Sequence, residues 1–154
     1  MPSYNTVETC WGEYEVRADG VIDDNAVQAF TRGHCHSLAL ALHQETGWPL
    51  FGMYSEEEGN MSHENGDTPS HVLVQMPNGD FLDIEGTGAV ENWQQSWPTT
   101  EPVKVTEAEV LGFSKIDYKE PNVEAARPFA KTLLSKYGQE FINKPYQYRI
   151  PFKR

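Results

Sequence analysis

Residues 33–47 read Gly-His-Cys-His-Ser-Leu-Ala-Leu-Ala-Leu-His-Gln-Glu-Thr-Gly and form the most informative segment of the chain. Alanine and leucine are strong helix formers, so the segment predicts a helix from Cys35 to about Gln44. Its apolar residues lie nearly all round the helix, which indicates a helix in the middle of a domain rather than on its surface. Gly47 is the predicted end of this helix.

A β-hairpin is predicted further along the chain. His71–Met76 and Phe81–Ile84 are two strand candidates, and residues 77–80 (Pro-Asn-Gly-Asp) join them. Proline at the first turn position and glycine at the left-handed position are typical of a type I turn with a G1 bulge. In such a turn Met76 pairs with Asp80.

The register of this hairpin decides which side chains share a face. With Met76 opposite Asp80, His71 faces Glu85 and Leu73 faces Asp83. Side chains alternate between the two faces of a sheet, so His71, Asp83 and Glu85 lie on one face. Asp83 then lies on the diagonal from His71, a separation that a His–Asp hydrogen bond can span. A loop with one residue more or fewer would turn both carboxylates to the other face.

The remaining elements are predicted from shorter patterns. They are a strand or small hairpin at Tyr14–Ile22 around Asp19-Gly20, a short helix from Asp23-Asp24-Asn25 to Phe30 ended by Gly33, strands at Pro49–Tyr54 and Val103–Val105, a helix at Asn122–Tyr137 that Pro128 kinks or begins, and a basic extended tail at about 141–154. We expect Trp48, Trp93 and Trp97 to pack in the core or at its rim. The pattern predicts an α+β domain with a central helix packed on an antiparallel sheet.

The composition indicates one folded domain over residues 1–154. Apolar residues make up 38% and aromatic residues 12% of the chain, which is too aromatic for a disordered protein. The net charge is −11, and residues 1–101 carry seventeen of the 23 acidic side chains but only two of the 12 basic ones. An acidic surface repels phosphate backbones, so we expect no direct contact with nucleic acid.

The sequence also indicates a compartment. No apolar run approaches the ~18 residues of a membrane span, and the first residues lack a signal-peptide pattern, so we expect no membrane partner and no export. Two cysteines, Cys10 and Cys35, fall short of a disulfide framework and indicate a reducing environment. Together these features predict a cytoplasmic protein.

Three residues form a constellation that could carry chemistry. Cys35 opens the predicted helix, whose N-terminus stabilises a thiolate and offers backbone N–H groups to an oxyanion. His71 opens a strand, and an imidazole can take a thiol proton and return it to a leaving group. Asp83 is placed to fix the tautomer of that imidazole. Cys35, His71 and Asp83 are therefore the candidate catalytic residues, with Glu85 as the alternative third member.

These residues resemble a known family. Gly33-His34-Cys35-His36 with the Ala/Leu helix, and then His71-Val72-Leu73-Val74 and Leu82-Asp83, resemble the papain-like cysteine hydrolase superfamily, in particular its compact NlpC/P60-like and transglutaminase-like branch. In that superfamily the nucleophilic cysteine opens a central helix on an antiparallel sheet, the histidine starts the next strand and a polar residue follows. The resemblance, which covers roughly residues 32–86, implies Cys35 as nucleophile, His71 as base and Asp83 as the orienting residue.

The resemblance implies a cysteine-dependent hydrolase or acyltransferase that needs no cofactor. Its substrate would be a protein or peptide-like molecule with an amide, isopeptide or thioester bond. Two features depart from the family pattern. His36 stands where an aromatic residue usually follows the nucleophile, and no glutamine lies at the usual distance for a papain-type oxyanion hole, although Gln28 is near it. Residues 55–68 directly precede His71 and are predicted to form a lid.

Two other functions are compatible with the sequence. A zinc site is one, although no spacing matches a known zinc motif. Its candidate ligands are Cys10, His34, Cys35, His36, His63 and His71. Because His34 and His36 point in different directions on a helix, we expect His36 to pack and His34 to flank the cleft. The other function is that of a non-catalytic acidic interaction protein, such as a DNA mimic that occupies a basic groove.

Overall fold

The structure, a computed structural model, describes residues 2–55, 62–95, 101–116 and 118–138. In chain order the elements are β1 (Tyr4–Thr9), β2 (Gly12–Arg17), α1 (Asp24–Ala29), α2 (Cys35–Thr46), β3 (Leu50–Met53), β4 (His71–Gln75), β5 (Phe81–Asp83), β6 (Gly86–Gly88), α3 (Glu91–Gln94), β7 (Val103–Val105), α4 (Glu107–Gly112) and α5 (Val123–Leu133). A 3₁₀ turn at Phe113–Lys115 follows α4, and a π-helical turn at Leu134–Gly138 follows α5. The predicted basic tail lies outside the described residues.

The main sheet has five antiparallel strands in the order β6-β5-β4-β3-β7, which confirms the predicted α+β class. Alternation along the strands sends Leu50, Val72 and Val74 into a core shared with α2 and α5. The opposite face carries Phe51, Leu73 and other apolar residues, which pack with Trp93 of α3. The helix that begins at Cys35 is thus buried in the middle of the domain, as its composition predicts.

The predicted register of the β4–β5 hairpin is confirmed. Val74 pairs with Leu82 and Gln75 with Phe81, and the Met76 N–H donates to the Asp80 carbonyl at 2.7 Å. Gly79 has φ 94°, a left-handed conformation that glycine adopts without strain. The turn therefore places His71 and Asp83 on the same face of the sheet.

The strand predicted at Tyr14–Ile22 is present in part as β2, but the alternative of a hairpin around Asp19-Gly20 is wrong. The N-terminal hairpin is formed by β1 and β2, and its turn lies at Cys10-Trp11. The Thr9 hydroxyl explains the position, because it accepts from the Trp11 N–H at 3.0 Å and donates to the Gly12 carbonyl at 2.8 Å. A threonine side chain closes the turn, and a threonine predicts a turn much less strongly than the dipeptide Asp-Gly does.

The helix ends follow ordinary capping chemistry. Asp23 caps α1 by accepting from the Ala26 N–H, and Gly47 ends α2 with φ 78°. Asn122 caps α5, so Pro128 lies inside that helix and does not begin it. No helix within the described ranges is long and apolar enough to cross a membrane.

Candidate active site

Cys35 is the first residue of α2, and the chain before it is held by the N-terminal hairpin. Gly33 has φ 139°, and a Cβ at this position would lie 3.4 Å from Thr9 at the end of β1. This close approach fixes the start of the helix against the hairpin. The thiol therefore lies at the positive end of a 12-residue helix, where a thiolate is favoured.

His71 and Asp83 meet at one end of the β4–β5 hairpin. The Nε2 atom of His71 lies 2.7 Å from Oδ2 of Asp83, and both side chains are buried. Oδ1 of Asp83 accepts from the backbone N–H of Glu85 at 2.8 Å. The side chain of Glu85 is exposed, so Asp83 and not Glu85 is the carboxylate that holds His71.

The Cys35 thiol and the His71 imidazole lie close enough to shift each other's pKa. Nε2 of His71 bonds to Asp83, so Nδ1 is the ring nitrogen that remains for a proton exchanged with the sulfur. Burial raises the pKa of Cys35, but the hydrogen bonds and charges of His36 and His71 outweigh burial and lower it to about 6. Burial lowers the pKa of His71, whereas Asp83 and Cys35 outweigh it and raise it to about 10. A thiolate–imidazolium pair is therefore favoured at neutral pH.

The sulfur is nearly closed off from solvent. Cys35 is 6% exposed and His71 is 0% exposed. A surface groove of about 410 Å³ runs along α5 and is lined by residues such as Arg127 and Lys131, but Cys35, His71 and Asp83 do not line it. The predicted lid falls partly on residues 56–61, which lie outside the described residues. Small electrophiles are therefore the suitable first probes of this thiol.

The prediction for His36 is confirmed, whereas that for His34 is wrong. His36 packs: it is buried, and its ring meets the edge of the Tyr118 ring at 4.7 Å. His34 is buried and does not flank a cleft: its Nε2 lies 2.6 Å from the Glu8 carbonyl and its Nδ1 lies 2.7 Å from the Ser37 hydroxyl. The reason is that His34 precedes the helix, with φ −125° and ψ 24°, so its ring turns toward β1.

Trp93 is a further residue at the site, where the sequence indicated only packing. Its indole Nε1–H donates to Oδ2 of Asp83 at 2.7 Å, the same oxygen that bonds to His71. Trp93 is also part of the core cluster on the outer face of the sheet. A tryptophan ten residues after the candidate carboxylate is the only sequence signal, and it is too common to be predictive.

Replacement of Trp93 by phenylalanine is expected to remove one of the hydrogen bonds that hold the Asp83 carboxylate in place. The loss of a hydrogen bond to a charged group should lower the free energy of unfolding by about 1.5–3 kcal/mol and slow alkylation of Cys35 by iodoacetamide. Trp48→Phe is the matched control, since Trp48 is equally buried but packs in the other core cluster. An alkylation rate that falls equally in both variants would contradict a positioning role for Trp93.

The two pKa shifts act on stability in opposite directions. Cys35 has a pKa of about 6 in the folded protein against an ordinary 9.0. Its contribution to the free energy of unfolding is therefore complete above pH 9 and is lost as pH falls through 6. The contribution of His71, with a pKa of about 10 against 6.5, is complete below pH 6.5 and is lost as pH rises through 10. Between pH 6.5 and 9 the two effects on the free energy of unfolding cancel, because on folding Cys35 releases a proton and His71 binds one.

We therefore expect the unfolding free energy of the wild type to change little between pH 6.5 and 9 through this pair. In Cys35→Ala only the His71 contribution remains, so stability should fall with rising pH by up to about 1.4 kcal/mol per pH unit. Urea titrations at the two pH values measure the difference. Cys10→Ser, at an exposed position, is the control and should keep the wild-type slope; equal slopes in all three proteins would contradict the ion pair.

The zinc hypothesis finds no support at this site. Within the described part of the chain, no group of three or more histidine, cysteine, aspartate or glutamate side chains could hold a metal ion. Two of the candidate ligands have other partners, since His34 bonds to Ser37 and His63 bonds to Glu109.

No family model, curated protein or solved structure matches the chain.

Proposed function

We propose that the protein is a cysteine-dependent hydrolase or acyltransferase of papain-like type, in the compact NlpC/P60-like or transglutaminase-like branch. One observation carries the proposal: a thiol at a helix N-terminus and a buried imidazole shift each other's pKa, and the imidazole bonds through Nε2 to a buried carboxylate, in the sequence Cys35–His71–Asp83. Nucleophile, base and orienting group then stand in the order that acyl transfer needs. The substrate would carry an amide, isopeptide or thioester bond.

The reaction would proceed through a thioester on Cys35. The thiolate forms a bond to the carbonyl carbon, and the π-electron pair moves to the oxygen, toward the backbone N–H groups at the start of α2. As the tetrahedral intermediate collapses, the leaving atom takes the proton from Nδ1 of His71. Water or an amine then attacks the thioester, gives a proton to Nδ1, and expels the thiolate of Cys35.

An activated ester tests the proposal without knowledge of the natural substrate. With p-nitrophenyl acetate we expect a burst of nitrophenol, an acetyl group on Cys35 by mass spectrometry and slow release of acetate. Cys10→Ser should behave as the wild type, whereas Cys35→Ala should show neither burst nor adduct. Hydroxylamine as acceptor would distinguish transfer from hydrolysis.

Two results would overturn the proposal. One is a burst of the same size in Cys35→Ala. The other is the absence of any Cys35 adduct, together with salt-sensitive binding to a basic protein that survives Cys35→Ala. The latter would identify the acidic interaction protein instead.

A further inference from the structure

The side chain of His34 ties the start of α2 to two other segments of the protein. Its Nε2 lies 2.6 Å from the backbone carbonyl of Glu8 in β1, and its Nδ1 lies 2.7 Å from the Ser37 hydroxyl. The Ser37 oxygen also accepts from the backbone N–H of Asn122 at 2.9 Å, just before α5. These hydrogen bonds form the His34 network (Glu8, His34, Ser37 and Asn122), whose members flank Cys35 on both sides.

Donors and acceptors in the His34 network have one consistent arrangement. A carbonyl only accepts, so Nε2 of His34 carries a hydrogen and donates to Glu8. Burial above all lowers the pKa of His34, which favours a neutral ring with a lone pair on Nδ1. The Ser37 hydroxyl therefore donates to Nδ1 while its oxygen accepts from Asn122. Because His34 and Ser37 are buried and fully satisfied, the network holds its members rigidly.

His34 and Ser37 are joined twice across the first turn of α2. The backbone N–H of Ser37 donates to the carbonyl of His34 at 3.0 Å, and the two side chains meet at 2.7 Å. Cys35 lies between the two residues in the sequence. Its backbone is therefore held in a closed turn, which the outer bonds of the network fasten to β1 and to the start of α5.

The same arrangement leaves the start of α2 without a cap. An N-cap side chain ordinarily accepts from the second or third N–H group of its helix, and α1, α4 and α5 begin in this way. His34 occupies the N-cap position of α2 and makes no such bond. Among the described residues, the backbone N–H groups of Cys35 and His36 have no hydrogen-bond partner. The turn is thus held by side chains while its first donors stay open.

We propose that His34 and Ser37 are positioning residues for the acylation step, which hold the first turn of α2 rigid and keep its N–H groups open to the carbonyl oxygen of the substrate. The inference rests on the proposed function. In that step the thiolate of Cys35 bonds to the carbonyl carbon, and the negative charge moves to the oxygen beside these N–H groups. Donors that are already held in place need no reorganisation when this charge develops.

Two reactions of the same thiol separate this role from a general effect on stability. Acylation by p-nitrophenyl acetate develops an oxyanion, whereas alkylation by iodoacetamide develops none and follows the thiolate fraction. All variants are made with Cys10→Ser, so that one thiol remains, and the ratio of the acylation rate to the alkylation rate is measured at pH 7. A loss of stability alone lowers the folded fraction for both reactions and leaves their ratio unchanged.

Ser37→Ala interrupts the His34 network between His34 and Asn122. We expect acylation to slow about tenfold, while alkylation stays within about twofold. His34→Asn keeps an acceptor near Nδ1 and loses the bond to Glu8, whereas His34→Gln keeps a donor near Nε2 and loses the bond to Ser37; both should lower the ratio similarly. Because Ser37→Ala removes one oxygen and introduces a strong helix former, it covers the case in which the His34 variants do not fold.

His43→Gln is the matched control. His43 lies near the other end of α2, where its Nδ1 bonds to the backbone carbonyl of Trp48 at 2.7 Å, so this variant alters a similar bond away from the nucleophile. Its ratio should equal that of the Cys10→Ser protein. The proposal is overturned if Ser37→Ala keeps the unaltered ratio or if His43→Gln lowers the ratio equally. If the Cys10→Ser protein is alkylated but not acylated at Cys35, the proposed function fails, and this inference fails with it.

A measurement on the wild type tests the His34 network directly. The ¹⁵N chemical shifts of the His34 ring report which of its nitrogens carries a hydrogen. We expect hydrogen on Nε2 alone at pH 7, since Nδ1 accepts from the Ser37 hydroxyl. Hydrogen on Nδ1 would overturn the arrangement from which the positioning role is inferred.

Discussion

Replacement of His71 by glutamine is expected to slow alkylation of Cys35 at pH 7 about 100-fold. Burial raises the pKa of Cys35, and the contacts with His36 and His71 bring it down to about 6. Without the imidazolium of His71, burial prevails and the pKa returns toward its ordinary 9.0 or above, so almost no thiolate remains at neutral pH. Iodoacetamide labelling followed by peptide mass spectrometry gives the rate at each cysteine.

This experiment contains its own control. Cys10 is exposed at the turn between β1 and β2, so its labelling rate should not change in His71→Gln. His63→Gln is a second control, since His63 bonds to Glu109. If Cys35 in His71→Gln reacted at the wild-type rate at pH 7, the ion pair assigned here would be wrong.

Replacement of Asp83 by leucine is expected to have the largest effect on stability. The carboxylate accepts from three groups: the imidazole of His71, the indole of Trp93 and the backbone N–H of Glu85. Leucine has the same number of side-chain heavy atoms but no acceptor, so all three donors lose their partner inside the protein. Removal of one partner from a buried charged network costs about 3–5 kcal/mol, which urea unfolding would measure.

Glu85→Gln is the matched control for this prediction. Glu85 follows Asp83 by two residues, carries the same charge and is exposed. Its replacement should change the free energy of unfolding by less than about 0.5 kcal/mol and leave Cys35 alkylation unaltered. Equal losses in the two variants would mean that charge in this hairpin, rather than the bonds to Asp83, determines stability.

The local part of the site was predictable because local rules determine it. The Pro-Asn-Gly-Asp turn fixes the register of β4 and β5, and the register alone places His71 diagonal to Asp83. The Ala/Leu composition of α2 similarly predicts the helix that has Cys35 near its N-terminus.

Contacts between distant segments were not predictable in this way. The partner of His36 is a backbone carbonyl 83 residues away, and any residue offers a carbonyl, so the sequence carries no mark of it. The role of Trp93 was also not predictable. Core packing of its ring is enough to explain a tryptophan in the sequence, so nothing there indicates that its indole N–H bonds to Asp83. The turn at Cys10-Trp11 was missed because a threonine hydroxyl closes it instead of a glycine-rich motif.

The bond between His34 and the Glu8 carbonyl has a consequence for the integrity of the chain. It joins β1 to the residue before the nucleophile, across 26 positions of sequence, and the turn between β1 and β2 presents Trp11 with 70% of its surface exposed. A protease that cuts at this turn would leave the thiol, the imidazole and the carboxylate on one fragment. The cut would nevertheless free the strand that anchors the helix start, so a nicked molecule should lose its reactivity before it loses its helices.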